Sequence, residues 1–302
     1  MIRSTLAALT LAAVCGAAPG VSAQTQAPEI ATGRALKQMG VTTRYMAAAA
    51  NPLATEAGRI MLRMGGSAVD AAVATQLVLN LVEPQSSGIG GGAFMVVWDA
   101  RNRRLTTLDG RETAPALAKP DRFMGADGKP MKFMEAVVGG RSVGVPGTLK
   151  LLEEAHRRWG KLPWAVLFQP AIDLAEGGFA VSPRLNGLLA QEQALRLDAR
   201  ARAYFYDESG APRPVGYPLR NPAFAATLRG LALHGSQLFY EGPIADDIVA
   251  TLRSHATNPG DMTLADLAAY KVVEREPVCG PYRAWTVCGM GPPSAGGVAV
   301  RQ

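Results

Sequence analysis

Two consecutive helices are predicted after residue 50 by the spacing of apolar positions. Asn51-Pro52 suits an N-cap and a first helical position, apolar residues then recur every three or four positions, and Gly65-Gly66 ends the element. Ser67 and Asp70 have the spacing of a capping box, which predicts a second helix over Ala68–Val82. This second helix is apolar on nearly every side, so we expect it to be buried.

The pattern then changes to short apolar runs that are typical of strands. A glycine-rich loop, Gly88–Gly92, precedes a predicted hairpin with strands Ala93–Trp98 and Arg104–Leu108, and strand signals return at Val272-Val273 and Trp285–Cys288. Helical patterns fill the region between residues 147 and 270. They predict helices over Thr148–Trp159, Trp164–Glu176, Pro183–Leu195, Pro222–Leu233 and Pro243–Arg253, and another that starts at Thr263. The fold class is therefore α/β (α+β), with a helix-rich middle between sheet-forming ends.

The first residues have the order of a secretory signal peptide. Arg3 is followed by an apolar run, Leu6–Ala18, and by the small-residue cleavage pattern Val21-Ser22-Ala23. We expect cleavage after Ala23, which leaves residues 24–302 as the folded region. The apolar run is shorter than the roughly 20 residues of a membrane-spanning helix. The sequence therefore predicts a periplasmic or secreted protein with no membrane span.

Composition excludes several classes of protein. Hydrophobic residues make up 48% and charged residues 19% of the 302 residues, which is typical of a globular protein. The formal net charge is +6, but the basic residues are scattered and no aromatic residues interleave with them, so we expect no nucleic-acid partner. The three histidines lie far apart in the sequence, so we predict neither a metal nor another cofactor.

The two cysteines that remain after signal cleavage are Cys279 and Cys288. They flank Gly280-Pro281-Tyr282, a segment that could turn as a hairpin. An exported protein meets an oxidising environment, which allows a short disulfide between the two residues. The alternative is two ordinary thiols, and the sequence leaves both open.

Three features could carry chemistry. The Gly88–Gly92 loop lies between a helix and a strand, the reverse of the order in phosphate-binding loops, which favours a tight turn with close backbone approach. Ser294 lies in a loop of small residues without a nucleophile-elbow motif, so a loop role is favoured over a nucleophile. Arg111 follows a predicted strand, where its guanidinium could bind a carboxylate; on physical grounds alone, an exposed ion pair with Asp109 or Glu112 is favoured.

Six segments, taken together and in order, resemble the gamma-glutamyltranspeptidase family. The resemblance runs from about residue 42 to residue 302 and covers the large-subunit portion of that family's precursors. The segments are Asn51-Pro52-Leu53-Ala54 with Ala57-Gly58, Gly65-Gly66-Ser67-Ala68-Val69-Asp70-Ala71-Ala72, Glu83-Pro84-Gln85-Ser86-Ser87-Gly88-Ile89-Gly90-Gly91-Gly92, Asp109-Gly110-Arg111-Glu112-Thr113-Ala114-Pro115, Ser142-Val143-Gly144-Val145-Pro146-Gly147 and Gly291-Pro292-Pro293-Ser294-Ala295-Gly296-Gly297.

The resemblance implies an N-terminal nucleophile hydrolase with an αββα sandwich, incomplete in this chain. Family members are exported precursors that cleave themselves, and a threonine freed at the start of the small subunit attacks the gamma-glutamyl amide. Its own α-amine acts as the base, so no histidine is required. The resemblance also implies that Arg111 grips the α-carboxylate of a substrate such as glutathione. The resemblance places the nucleophile in the small subunit, so we expect both beyond Gln302. The last residues begin an element without a cap or stop, which predicts a chain cut short there.

Two positions depart from the family pattern, and two other functions stay open. Gly110 stands where the family often has an aromatic residue, and Ala295 stands where a second serine is usual. Acylases that remove the side chains of beta-lactams (cephalosporins) share the same segments, so a beta-lactam side-chain acylase is one alternative to a gamma-glutamyltransferase and glutathione hydrolase. A secreted binding protein that uses the Arg111 cleft without catalysis is the other.

Overall fold

The computed structural model describes residues 39–299, and the predicted signal peptide at residues 1–23 lies outside this range. The described part is a mixture of helices and short antiparallel strands, with brief 3-10 segments between them. The helices are α1 (Pro52–Arg63), α2 (Ala68–Val82), α3 (Phe133–Val137), α4 (Thr148–Trp159), α5 (Gln169–Gly177), α6 (Pro183–Gln191), α7 (Ala199–Phe205), α8 (Pro222–His234), α9 (Gln237–Tyr240), α10 (Pro243–Arg253), α11 (Leu264–Ala268) and α12 (Gly296–Ala299). The strands are β1 (Ala93–Asp99), β2 (Arg104–Gly110), β3 (Phe179–Ala180), β4 (Pro218–Leu219), β5 (Val273–Arg275), β6 (Val278–Tyr282) and β7 (Trp285–Gly289).

The main sheet of the described residues has three antiparallel strands in the order β1-β2-β5. β1 and β2 form the predicted hairpin, in which Ala93 lies opposite Gly110. β5 joins the other edge of β2, with Val273 opposite Asp109. Helix α4 packs on one face of this sheet, and the buried helix α2 packs against α4. Leu108, in the central strand, is fully buried in the resulting core.

The first two helices begin as their capping residues predict. Asn51 Oδ1 accepts a hydrogen bond from the Leu53 backbone amide at 3.0 Å. Ser67 and Asp70 form a complete capping box, in which Ser67 Oγ accepts from the Asp70 amide and Asp70 Oδ2 accepts from the Ser67 amide. These bonds satisfy amides that have no partner within the helix. The predicted bounds Ala68–Val82 are confirmed.

Two sequence predictions need correction. The single helix predicted over Trp164–Glu176 is a 3-10 segment, Trp164–Phe168, followed by α5. Pro170 lies in the first turn of α5 and has no amide hydrogen to donate to an earlier carbonyl, so the regular helix restarts there. The helix predicted over Pro183–Leu195 ends at Gln191, and a separate 3-10 turn follows it.

The last hairpin has its turn later than the sequence indicates. Gly280-Pro281-Tyr282 is part of β6, and the turn falls at Arg283-Ala284. Arg283 adopts a left-handed conformation with φ 54°, which a two-residue hairpin turn demands of its first residue. The hairpin itself was predicted correctly.

The two edge strands of the main sheet carry exposed apolar side chains on one face, whereas Thr107 and Asp109 of the central strand are buried there. In β1, Met95 and Val97 pack against the core, and the alternating residues Val96 and Trp98 are 46% and 58% exposed. Val273 of β5 lies on the same face and is also exposed. Since β1 is an edge strand among residues 39–299, both exposed apolar side chains and a strand edge unpaired in that range are accessible here.

Candidate functional site

A cleft of about 620 Å³ brings together residues from four of the six segments identified in the sequence. It opens where the glycine-rich loop, the end of β2, the loop before α4 and the loop after β7 meet. Its lining residues are Gly90, Arg111, Glu112, Thr113, Ala114, Pro115, Arg122, Phe123, Arg141, Ser142, Val143, Gly144 and Pro293. This volume is within the range of about 300–1,000 Å³ that is typical of small-molecule sites.

The backbone of Arg111 is fixed from both sides at the end of β2. Its amide donates to Asp109 Oδ1 at 2.9 Å, and its carbonyl accepts from the Tyr270 hydroxyl at 2.7 Å. Asp109 is in turn held by Arg275, whose Nε lies 2.7 Å from Asp109 Oδ2. Burial raises the pKa of Tyr270 to about 12, so its hydroxyl stays protonated and can donate at neutral pH. The backbone from which the Arg111 side chain extends is therefore held rigidly.

The Arg111 side chain is accessible and only partly engaged. It is 47% exposed; one terminal nitrogen lies 3.2 Å from Glu112 Oε2, and the other donates to the Gly92 carbonyl at 3.4 Å. Its Cζ atom lies 5.7 Å from the centre of the Phe94 ring. The ion pair with Glu112 is one of the two that physical reasoning from the sequence favoured. A guanidinium has five N–H donors, so these contacts leave donors for an incoming anion.

The glycine-rich loop serves backbone packing. The Gly91 carbonyl accepts from the amides of Gly147 and Thr148 at 2.9 and 3.1 Å. These amides lie at the start of α4, which has no side-chain cap, so the loop carbonyl satisfies donors that would otherwise lack partners. The Gly91 amide closes a tight turn onto the Gly88 carbonyl. This arrangement confirms the predicted tight turn with close backbone approach.

Two arginines missed in the sequence also line the cleft. Arg122 forms an ion pair with Asp261 at 2.6 Å, and Arg141 donates to the Arg122 carbonyl at 3.2 Å. The hydrogen bond from Arg122 holds the pKa of Asp261 below its ordinary value, so this carboxylate stays ionised. Asn258, only 2% exposed, supports the wall by donating to the Glu135, Ala136 and Val138 carbonyls.

Sequence reasoning placed Arg111 at the site but could not find its supporting residues. Tyr270 is 159 residues away along the chain, and no local motif links it to Arg111. Arg122 and Arg141 lie in a loop-rich stretch without periodicity. Only their charge distinguished them, and charge alone is typical of solvated surfaces.

Ser294 lies near the cleft, since its neighbour Pro293 lines it, but its hydroxyl has a local role. Ser294 Oγ accepts from the Gly296 amide at 3.0 Å, and within residues 39–299 no histidine or lysine hydrogen-bonds to it. The structure joins Cys279 and Cys288 in a disulfide between facing positions of β6 and β7, with Cα atoms 4.1 Å apart. Neither cysteine lines the cleft.

Residues 39–299 contain neither a cluster of metal-ligating side chains nor a membrane-spanning helix. No group of three or more His, Cys, Asp or Glu residues in that part could hold a metal ion. Its helices include none with the length and apolar character needed to cross a bilayer.

Comparison with known proteins gives a consistent result. Residues 54–302 match the family model described as Gamma-glutamyltranspeptidase. The chain is 40% identical over 266 residues to the glutathione hydrolase proenzyme of Bacillus subtilis (strain 168), covering 88% of this chain and 45% of that protein. It is 34% identical over 288 residues to the Acylase ACY 1 proenzyme of Pseudomonas sp. (strain V22), covering 93% and 51%.

Among solved structures, the chain is similar to the gamma-glutamyltranspeptidase of Helicobacter pylori, with a TM-score of 0.82 and 33% identity. That match covers 87% of this chain and 74% of the solved chain. The chain spans about half the length of the curated relatives it matches.

Proposed function

The chain belongs to the gamma-glutamyltranspeptidase family, and from this premise we propose that it is the substrate-gripping part of an exported gamma-glutamyltransferase and glutathione hydrolase. The fold is the N-terminal nucleophile hydrolase fold of its structural relatives. The observation that carries the proposal is the placement of Arg111. Its backbone is locked at a strand end, and its guanidinium is exposed in a cleft of small-molecule size.

In this proposal, Arg111 binds the α-carboxylate of the gamma-glutamyl group and so fixes the position of the scissile amide. A guanidinium matches a carboxylate with two parallel hydrogen bonds, which orients the substrate as well as holding it. Glu112 lies 3.2 Å from Arg111, so it limits the directions in which the guanidinium can turn. Orientation of this kind lowers the entropic part of the barrier.

The nucleophile in this proposal is a threonine of the small subunit from the same precursor. Its hydroxyl attacks the gamma-glutamyl carbonyl, its α-amine takes the hydroxyl proton, and the leaving amine departs protonated. Water or an acceptor amine then attacks the acyl-enzyme and releases the threonine. Ser294 is a poor substitute, because its Oγ is engaged by the Gly296 amide and lacks a basic partner in the described part of the chain.

The exposed sheet face supports a second polypeptide segment as a partner. Val96 and Trp98 are exposed apolar side chains beside a strand edge that is unpaired within residues 39–299, and soluble proteins normally cover such features. The Bacillus relative is a proenzyme, which agrees with a precursor that supplies the covering segment. We therefore assign this surface to the small subunit.

The two alternatives are weaker. The acylase relative is 34% identical to this chain and the glutathione hydrolase relative 40%, and no feature of the cleft favours a beta-lactam. A non-catalytic binding protein would need no covering segment for its sheet. Gamma-glutamyl transfer therefore remains the function that we propose.

The test is Arg111→Ala in the full-length precursor, with kinetics on a gamma-glutamyl anilide. Loss of a charged hydrogen-bond partner costs roughly 1.5–3 kcal/mol, so kcat/KM should fall by about 10- to 150-fold, mainly through KM. Self-cleavage, followed on a denaturing gel, should remain. The matched control is Arg101→Ala, in the turn between β1 and β2, outside the cleft. Unchanged kinetics would remove Arg111 from the site, and a wild type without turnover would refute the proposed activity.

A further inference from the structure

A second guanidinium in the cleft, that of Arg141, has no ion-pair partner within residues 39–299. One of its terminal nitrogens donates to the Arg122 carbonyl at 3.2 Å and contacts Met131 Sδ at 3.4 Å. Both acceptors are uncharged, so the positive charge of Arg141 is not neutralised. The side chain is half-buried and lines the same cleft as Arg111.

The position of Arg141 is fixed by several contacts. Its amide donates to the Asn258 carbonyl at 3.3 Å, and its own carbonyl accepts from Arg122 Nε at 2.7 Å. The guanidinium of Arg122 is used differently, because Asp261 lies 2.6 Å from it and neutralises it. The Arg122–Asp261 ion pair thus stabilises this wall of the cleft. Arg141 extends from the same wall, and its positive charge is not compensated.

The balance of charge in the cleft points to an anionic ligand with more than one acidic group. Its lining residues carry three guanidinium groups and one carboxylate, Glu112, which is already paired with Arg111. A half-buried cation that lacks a counter-ion attracts an anion more strongly than a fully solvated cation does, because water screens it less. Holding it unpaired has a cost that a bound carboxylate would offset.

We propose that Arg141 is a specificity-determining residue that binds a second carboxylate, on the leaving-group side of a gamma-glutamyl peptide. This inference rests on the proposed function, in which Arg111 takes the α-carboxylate of the glutamyl group. A peptide such as glutathione carries another carboxylate at its C-terminus, whereas a gamma-glutamyl anilide does not. Arg141 therefore distinguishes dicarboxylate peptides from substrates with a neutral leaving group.

The first experiment changes the substrate and leaves the protein intact. The wild-type full-length precursor, after self-cleavage, is assayed with glutathione and with glutathione whose C-terminal carboxylate is converted to the amide. We expect KM to be about tenfold higher for the amide, with kcat changed less than about twofold, because one charge-assisted contact is lost. Equal KM values for the two peptides would overturn the proposal. Absence of turnover with both peptides and with the anilide would refute the proposed function itself.

The second experiment changes Arg141. Arg141→Gln should raise KM for glutathione by about tenfold, leave KM for the anilide within about twofold, and remove the difference between glutathione and its amide. Arg141→Lys retains the charge and should recover part of the affinity for glutathione. The matched control, Lys129→Gln, removes an exposed charge from the same loop region outside the cleft and should leave both KM values unchanged. A purely structural role predicts equal losses with peptide and anilide, and that result would overturn the proposal.

Discussion

Asp70 offers a sharp test of how the scaffold beneath the cleft is held. Its side chain is fully buried, at 0% exposure, and accepts hydrogen bonds from backbone amides of two separate segments. Oδ2 accepts from Ser67 at 2.7 Å, from Lys161 at 3.0 Å and from Leu162 at 3.2 Å. One carboxylate therefore caps α2 and also fixes the loop that follows α4. The N-terminal end of α4 lies beside the glycine-rich loop of the cleft.

The perturbation is Asp70→Asn, which preserves shape and removes the charge. Hydrogen bonds to a charged group contribute roughly 1.5–3 kcal/mol and neutral ones about 0.5–1.5 kcal/mol, so each of the three amide bonds loses about 1 kcal/mol. An asparagine side chain would also place N–H donors against the backbone amide of Lys161, which is itself a donor. The expected total loss is about 2–4 kcal/mol, a large fraction of the usual 5–15 kcal/mol of a folded domain.

The assay is hydrogen exchange measured by mass spectrometry on the full-length precursor. Exchange reports local opening, so the amides of Ser67, Lys161 and Leu162 should exchange about 30- to 1,000-fold faster in the variant. The control is Asp207→Asn, where a carboxylate at the surface accepts from Ser209 Oγ and the Ala211 amide; water can replace these bonds, so we expect much smaller changes in exchange there. Exchange rates at both segments within about threefold of wild type would refute the reasoning.

Two further predictions concern the chain as printed. The protein should contain a Cys279–Cys288 disulfide, because the two residues face each other across β6 and β7; intact-mass measurement with and without alkylation checks it, and two free thiols would contradict it. Residues 24–302 expressed alone should aggregate and hydrolyse no gamma-glutamyl anilide, because Trp98 and its neighbours stay uncovered and Arg111 has no nucleophile to serve. Light scattering and an anilide assay test this, and a monodisperse active protein would overturn it.

The parts of the fold that were predictable are those set by local chemistry. The capping box of Ser67 and Asp70 fixed the start of α2, and short apolar runs on either side of a polar turn identified the β1–β2 hairpin. The prediction errors occurred where a single residue, and not the hydrophobic periodicity, decides the local structure. Pro170 splits a helix that looks continuous by hydrophobic spacing, and the last hairpin turns at Arg283-Ala284 and not at the expected Gly280-Pro281-Tyr282.

The candidate site shows the same division between residues that local sequence indicates and residues that only the tertiary packing brings together. Arg111 was singled out as a candidate because it follows a strand within a motif that resembles the family. Its partners could not be found, because the contact between the Tyr270 hydroxyl and the Arg111 carbonyl depends on the packing of segments 159 residues apart. Arg141 has the same difficulty: an arginine in a loop looks like a solvated surface residue until the fold shows which charges are paired.

Gly92 and Gly144 belong to different sequence segments, but both positions require glycine for the same physical reason. A Cβ atom on Gly92 would lie 2.5 Å from Glu112 Oε2 and 2.8 Å from the Arg111 Cα, and one on Gly144 would lie 2.8 Å from the Glu112 Cβ. A real Cβ atom essentially never lies this close to another heavy atom, so either methyl group would displace the Arg111–Glu112 segment. The segments therefore share glycine because they enclose one short piece of backbone from two sides. The shape of the cleft at this point and the position of the Arg111 guanidinium follow from that enclosure.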